Sequence, residues 1–277
     1  MPEHRTVVPP SDALLDLATR AAIRAGDHAL KMAGEALSIE TKSSANDFVT
    51  QVDEECERLI VASLLAERPH DGLAGEEGAA TDGTTGVMWH IDPIDGTTNY
   101  VYGQPGWAVS IAAAVGGPEG HMVVGVVFDP RHEELFTAVH GAGAWCNGVA
   151  IAPRSGDRLA SAVIATGFSY DADIRRHQAA VLADVLPAVG NIRRCGSAAV
   201  DLCWVGLGRV DAYYESGLNL WDRAAGGLIA AEAGALVHDL HHREPTRRFT
   251  FAASPAIHDQ LRDVLVAAGA DRIEIAE

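Results

Sequence analysis

Asp92-Pro93-Ile94-Asp95-Gly96-Thr97-Thr98-Asn99 is the stretch on which the reading of this chain turns. It follows directly on an apolar run, Val87-Met88-Trp89-His90-Ile91. A strand therefore delivers two carboxylates to one turn, and a glycine and two hydroxyls come next. Two acids at that spacing can share hard cations. A Gly-Thr-Thr opening of a helix leaves backbone N–H groups free for a phosphate. Metal and phosphate side by side point to phosphoryl chemistry. An Asp-Gly turn at the end of a strand accounts for Asp95-Gly96 without any function, but not for the whole octet.

Further acids lie outward from it. Gly75-Glu76-Glu77-Gly78 is an acidic loop of a kind that is usually solvated. It gains weight as a third source of carboxylate for the same cations, with one acid a ligand and the other a neighbour. Trp221-Asp222-Arg223-Ala224-Ala225-Gly226-Gly227 opens an apolar helix. An Asp there most often caps the helix, stabilising it by about 1 kcal/mol; the alternative is a ligand arriving from the second half. Thr50-x-x-Asp53 is close to a capping box. A functional Asp53 would instead accept a hydrogen bond from a hydroxyl that handles the attacking water, and the sequence leaves the two readings level. Gly196-Ser197-Ala198-Ala199 opens a helix whose N–H groups suit a substrate hydroxyl, or whose small residues serve packing. Glu215 ends a strand, as a polyol acceptor or a rim charge.

Other chemistries find less support. His238, His241 and His242 form the one histidine cluster, and zinc is conceivable there, but His241-His242-Arg243-Glu244-Pro245 reads as an exposed loop. The chain has no Gly-x-x-x-x-Gly-Lys-Ser/Thr loop and no Gly-x-Ser-x-Gly elbow.

At 277 residues, 48% of them hydrophobic, the chain suits one large domain or two halves with a sizeable core. A net charge of −17 argues against nucleic acid as a direct ligand. It would also repel a phosphorylated substrate unless bound cations invert the sign locally. Cys56, Cys146, Cys195 and Cys203 are scattered, without a Cys-x-x-Cys pair, and read as reduced thiols of a cytoplasmic protein. Met1–Pro10 reads as a loose leader. No secretory signal and no membrane span is expected.

Periodicity predicts helices over Ser11–Ala36 and Thr50–Arg68, then strands at Trp107–Val115, His121–Phe128 and Glu134–Val139. Gly116-Gly117-Pro118-Glu119-Gly120 punctuates the first pair, and Asn147-Gly148 is a hairpin signal. Short turns between sequential strands imply an antiparallel sheet. The second half alternates: strands Ser161–Thr166, Ile192–Cys195, Val210–Tyr214, Leu236–Asp239 and Phe249–Ala253, with helices Ile174–Leu186, Ser197–Gly206 and Asp222–Ala233. Ser254-Pro255 is expected to cap a final helix. The fold class is layered α and β: a largely antiparallel N-terminal sheet, then a mixed C-terminal sheet with helices. The boundary falls in the Pro/Ser/Gly-rich stretch at Ala152–Asp157, dividing residues 1–152 from 153–277.

Asp92-Pro-Ile-Asp-Gly-Thr-Thr-Asn, Gly75-Glu-Glu and Trp221-Asp-x-Ala-Ala-Gly together resemble the inositol monophosphatase family of Mg²⁺-dependent, lithium-sensitive phosphatases. The likeness runs from about Lys42 to Gly234, with the motifs in order and at family-like separations. Gly196-Ser-Ala-Ala-Val-Asp-Leu-Cys and Asp211-Ala-Tyr-Tyr-Glu resemble its substrate side, in particular the bacterial inositol-1-monophosphatase branch. The resemblance implies an αβαβα sandwich, usually a homodimer, using two to three Mg²⁺ (or Mn²⁺) ions. By the same resemblance Glu76, Asp92 and the Ile94 carbonyl hold the first metal, and Asp92, Asp95 and Asp222 the second. A looser third ion leans on Glu76, which joins Asp53 and Thr97 as catalytic. Asp53 and Thr97 orient the water. Gly96 and Thr97 N–H groups bind phosphate. Gly196, Ser197, Ala198 and Glu215, with Asp95 and Asp222, meet the substrate.

One departure stands out. Animal members carry a His two residues before the Trp-Asp, and here Asn219 occupies that place. It leaves the metals untouched and bears on the alcohol. The expected reaction is hydrolysis of a phosphate monoester, myo-inositol 1-phosphate first. The alternatives are fructose 1,6-bisphosphate, histidinol phosphate, NADP or adenosine 3′,5′-bisphosphate, or a non-catalytic regulatory protein on the same fold.

Overall fold

The computed structural model describes residues 11–33, 39–42, 48–117, 120–273 and 275. The first half opens with α1 (Ser11–Met32), the short pair β1 (Ile39–Thr41) and β2 (Phe48–Thr50), and α2 (Gln51–Glu67). Leu14, Leu17, Ala18, Ala21, Ala25 and Ala29 recur every three or four residues on α1 and are all buried. Then come β3 (Gly72–Gly75), β4 (Ala80–Thr81), β5 (Val87–Asp95), the one-turn helix α3 (Thr97–Val101), β6 (Ala108–Val115), β7 (His121–Asp129), β8 (Glu134–Val139), β9 (Gly143–Cys146) and β10 (Val149–Ala150). Eight strands form one sheet in the order β10-β9-β8-β7-β6-β5-β3-β4. Every pairing in it is antiparallel except β3 with β5. Asn147 and Gly148 both have positive φ (50° and 75°), the two left-handed residues a tight hairpin needs between β9 and β10.

The second half contributes β11 (Val163–Thr166), α4 (Ala172–Val185), β12 (Asn191–Arg193), α5 (Ala198–Leu207), β13 (Ala212–Glu215), α6 (Leu220–Glu232), β14 (Leu236–His238), β15 (Thr250–Ala253) and α7 (His258–Ala267). Its sheet runs β12-β11-β13-β15-β14 and is mixed, with β11 parallel to both its neighbours.

Five layers result. One face of the large sheet packs on α1 and α2 around Trp89, Ile91, Ile94, Trp107 and Ile111. Its other face meets α5 and α6, with Ala112, Val127 and Phe136 against Val200, Cys203, Ala225 and Ile229. Those helices turn their far side to the small sheet. Its outer face is covered by α4 and α7 through Val181, Val185, Leu261 and Leu265. The expected αβαβα sandwich is therefore the observed fold. The small residues of Ala224-Ala225-Gly226 have a packing role. A Cβ on Gly226 would stand 2.9 Å from the Ala199 carbonyl of α5, and one on Gly125 of β7 would stand 2.8 Å from the Ala225 carbonyl. Only glycine lets three backbones approach so closely.

Some boundaries move. The first helix ends at Met32, and Ala36 falls outside the described residues, as do Met1–Pro10, Asn46-Asp47 and Pro118-Glu119. The α6 helix begins at Leu220, which makes Asp222 its third residue. The last helix begins at His258, not at Pro255. Residues 254–257 form a turn in which the Ile257 and His258 N–H groups both donate to the Ser254 carbonyl (3.2 and 3.1 Å), and the Ser254 hydroxyl caps nothing. Among the described residues no helix is long and apolar enough to cross a membrane. The four cysteines form no disulfide.

Candidate active site

Asp92 and Asp95 are three residues apart on β5, and strict alternation would send them to opposite faces of the sheet. A bulge prevents this. Asp92 pairs with Ser110 and Asp95 with Ala108, so three steps along β5 answer two along β6. The extra residue resets the parity, and both acids line one cleft of about 640 Å³. Pro93 has no N–H to offer the ladder, which is tolerable at a bulge. The Ile94 N–H turns to Asp92 Oδ1 instead (3.1 Å).

The same cleft receives Glu76, Ile94, Gly96, Thr97, Gly196, Ala198, Glu215, Asn219 and Asp222. Carboxylate oxygens of Glu76, Asp92 and Asp222 lie within 4.8 Å of one another, close enough to hold a metal ion. Glu76 arrives on the loop after β3. The buried Glu57 of α2 pins that loop by accepting from the Glu77 and Ala79 N–H groups (2.9 and 2.8 Å). Lys42 bridges Glu76 and Glu77 (3.0 and 2.6 Å). Asp95 is not one of that trio. Its Oδ2 accepts from the Ser197 hydroxyl and the Ala199 N–H, both at 2.6 Å.

Asp53 makes the contacts that each of its two readings requires. Its Oδ2 accepts from the Thr50 N–H (2.9 Å) and hydroxyl (2.5 Å), closing the capping box of α2. Its Oδ1 lies 3.1 Å from Thr97 Oγ1, which is also 3.0 Å from the Ile94 carbonyl. Asp222 is likewise doubled. Its Oδ2 accepts from the Asn219 N–H at 2.7 Å, capping α6, while the side chain belongs to the acidic trio.

The electrostatics follow from crowding acids in an enclosed space. Burial, then the neighbouring Glu76, raises the Asp92 carboxyl well above its ordinary range, and Asp222 is raised for the same reasons. Burial lifts Asp95 to about 6 against the pull of its hydrogen bonds from Ser197 and Ala199. Burial also lifts Asp53 to about 6. Glu215, pushed up to about 7 by burial, accepts a 2.5 Å hydrogen bond from the Tyr213 phenol. A Cβ on Gly167 would overlap its carboxylate, so the glycine makes the room.

Several cleft residues were not singled out from sequence. Arg194, Arg247, Phe168 and Tyr170 line the wall. They come from loops with no motif of their own, and nothing local marks them. Asn99, the last residue of the octet, had no assigned role. Its Nδ2 donates to the Gly106 and Cys195 carbonyls (2.6 and 2.7 Å), joining the octet to the loop that carries Gly196. Gly96, with φ of 96°, fits beneath the Gly106 and Gly196 carbonyls, which a Cβ would meet at 2.9 and 3.2 Å.

Known proteins share this arrangement of chain. The family model described as "Inositol monophosphatase family" matches residues 11–270. The inositol-1-monophosphatase SuhB of Mycobacterium tuberculosis (strain ATCC 25618 / H37Rv) is 44% identical over 241 residues, covering 81% of this chain and 80% of that protein. The Nus factor SuhB of Vibrio cholerae is 43% identical over 231 residues, with 82% and 85% covered. The crystal structure of extragenic suppressor protein suhB from Bartonella henselae superposes with a TM-score of 0.86 at 35% identity, over 91% of this chain and 98% of that one. With a match across nearly its whole length and relatives well above the twilight of similarity, this chain belongs to the inositol monophosphatase family.

Proposed function

We propose that the protein hydrolyses a phosphate monoester in this cleft, with myo-inositol 1-phosphate as the first candidate substrate. The observation that carries the reading is the convergence of Glu76, Asp92 and Asp222 within 4.8 Å. Buried like charges are costly unless a cation neutralises them. The donors are all oxygens, which suits Mg²⁺ or Mn²⁺ over zinc. Glu76, Asp92, Asp95, Asp222 and the Ile94 carbonyl would hold two to three such ions. When bound, these supply Lewis-acid stabilisation of charge on the phosphate and on the departing oxygen. The chain's own groups do the rest. Thr97 Oγ1, steadied by Asp53 Oδ1 and the Ile94 carbonyl, orients the attacking water. Gly96 and Thr97 N–H groups take phosphate oxygens. Glu215, with Gly196 and Ala198, faces the alcohol, while Ser197 acts through Asp95. Residues 1–152 thus carry most metal ligands, and 153–277 carry Asp222 and the alcohol contacts. A homodimer in the cytoplasm, inhibited by lithium, belongs to the same reading.

The test is phosphate release with and without Mg²⁺ across inositol 1-phosphate, fructose 1,6-bisphosphate, histidinol phosphate, NADP and adenosine 3′,5′-bisphosphate. Mg²⁺-dependent release fastest from inositol 1-phosphate is expected. Fastest release from another substrate reassigns the alcohol and keeps the chemistry. A second reading, a regulatory partner-binding protein on this fold, is favoured by the name Nus factor carried by the Vibrio cholerae relative. Absence of release from every substrate at saturating Mg²⁺ would leave that reading in possession.

A further inference from the structure

A second cluster of ligating side chains lies outside the cleft. Rings of His238, at the end of β14, His242, in the following loop, and His258, at the start of α7, have centroids 5.5–5.7 Å apart. One nitrogen from each falls within 4.8 Å of the others. None of the three lines the cleft. The sequence grouped His238 with His241 and His242. The fold replaces His241, whose ring nitrogen is 3.7 Å from Asp271, by His258, distant in sequence.

Two buried nitrogens in this cluster have no hydrogen-bond partner, His238 Nδ1 and His258 Nε2. His258 is 1% exposed and stacks on Phe251, with ring centroids 4.9 Å apart. Its other nitrogen, Nδ1, is 3.0 Å from Asp259 Oδ1. A proton held at Nδ1 by a carboxylate leaves the Nε2 lone pair free, which is how an imidazole is prepared for a metal. An idle buried nitrogen costs stability, and a metal would relieve that cost.

We propose that His238, His242 and His258 bind one transition-metal ion of the zinc type, with water as fourth ligand, clamping β14 and its loop to the start of α7. Three neutral imidazoles suit zinc, whereas the all-oxygen cleft suits magnesium, so the two sites select different ions. Nitrogens around tetrahedral zinc stand about 3.3 Å apart, given Zn–N bonds of about 2.0 Å. The cluster must therefore tighten, and His242, exposed and on a loop, is the ring able to move. Its Nε2 now accepts from the Arg262 guanidinium. A metal at Nε2 would release Arg262, which keeps Asp259 (3.5 Å) and Asp263 (2.7 Å) as partners.

The test uses the full chain, stripped by chelation and held in excess Mg²⁺ to keep the cleft filled. Co²⁺ is titrated first, then Zn²⁺ as competitor. Wild type and Asp92→Asn should each take up one Co²⁺ with the intense visible bands of a four-coordinate ion, bleached by Zn²⁺. His258→Gln and His242→Ala, the latter at an exposed position, should lose those bands. Asp259→Ala should bind about tenfold more weakly. No bands in wild type, unchanged binding by a folded His242→Ala, or loss of binding in Asp92→Asn would each overturn the proposal.

Discussion

The two walls of the cleft present acids from different kinds of backbone. On one wall, Asp92 and Asp95 sit on β5, an interior strand held between β3 and β6. On the other, Asp222 and Asn219 stand at the start of α6, Gly196 and Ala198 at the start of α5, and Glu215 at the end of β13. The first wall cannot move an acid without shifting a strand register. The second can exchange a terminal side chain and leave both sheets packed as they are. In the proposed reading the rigid wall meets what all substrates share, the phosphate and its cations. The terminal wall, apart from Asp222, which joins the acidic trio, meets what differs between them, the alcohol. Substitutions on the strand and at Asp222 should therefore abolish turnover, and those at the other element ends should redirect it.

The largest effect expected is from Asp95→Asn. Phosphate release should fall about 10³-fold, while circular dichroism stays unchanged, because an amide oxygen still accepts from Ser197 and Ala199. Near-normal activity in a folded sample would break the contrast between the walls. Asp53→Asn should lower kcat about 10²-fold. Thr50→Val removes the hydroxyl that caps α2 and bonds Asp53 Oδ2, and keeps the Thr50 N–H and Thr97 bonds to Asp53, so it should cost about 1 kcal/mol of stability in urea unfolding and leave kcat near wild type. Equal kinetic losses in the two variants would show that the cap, not the bond to Thr97, matters.

On the terminal wall, Glu215→Gln should raise KM for polyol phosphates about tenfold with little change in kcat. Stability adds a measurement without substrate. Asp92, Asp95 and Asp222 have raised carboxyls in the metal-free fold. Such a group keeps its proton in the folded state after the unfolded chain has lost it, so stability falls as pH rises from about 4 through the folded value, about 6 for Asp95. Metal-stripped protein should accordingly melt at higher temperature near pH 5.5 than at pH 7.5, and Mg²⁺ should flatten the difference. A Tm that climbs with pH over that window without metal would contradict the raised values. The smallest effect belongs to Asn219→His, a shift of a few-fold in preference among alcohols, read from kcat/KM ratios.

Much of the architecture was legible because it is local. The helix over residues 11–32 announces itself by three- and four-residue spacing, and the β6–β7–β8 meander by short turns between apolar runs. The short strands β3, β4 and β9 were not read, since two to four residues give no period to detect. The end of α7 nearest His258 was misplaced because a Ser-Pro pair signals a helix start equally well when a turn intervenes. In the site, the contiguous octet was visible, whereas Arg194, Arg247 and the bridging work of Asn99 were not. The two arginines stand in loops without a motif, and Asn99 bonds the Cys195 carbonyl 96 residues away, where no spacing rule reaches.

What the sequence by itself determined was the chemical inventory. It supplied oxygen ligands in one turn, an acid before each of two further elements, a backbone ready for phosphate, and the alternation that yields two sheets. These are properties of neighbours along the chain, and periodicity and residue type suffice to read them. Only the tertiary structure decided how the inventory is used. The bulge that puts Asp92 and Asp95 on one face depends on β6. The double service of Asp53 and Asp222 depends on elements that fold against them, and the meeting of His238 and His242 with His258 depends on α7 docking beside β14. A side chain's direction relative to a distant partner is set by packing, and packing is not written in any one stretch of sequence.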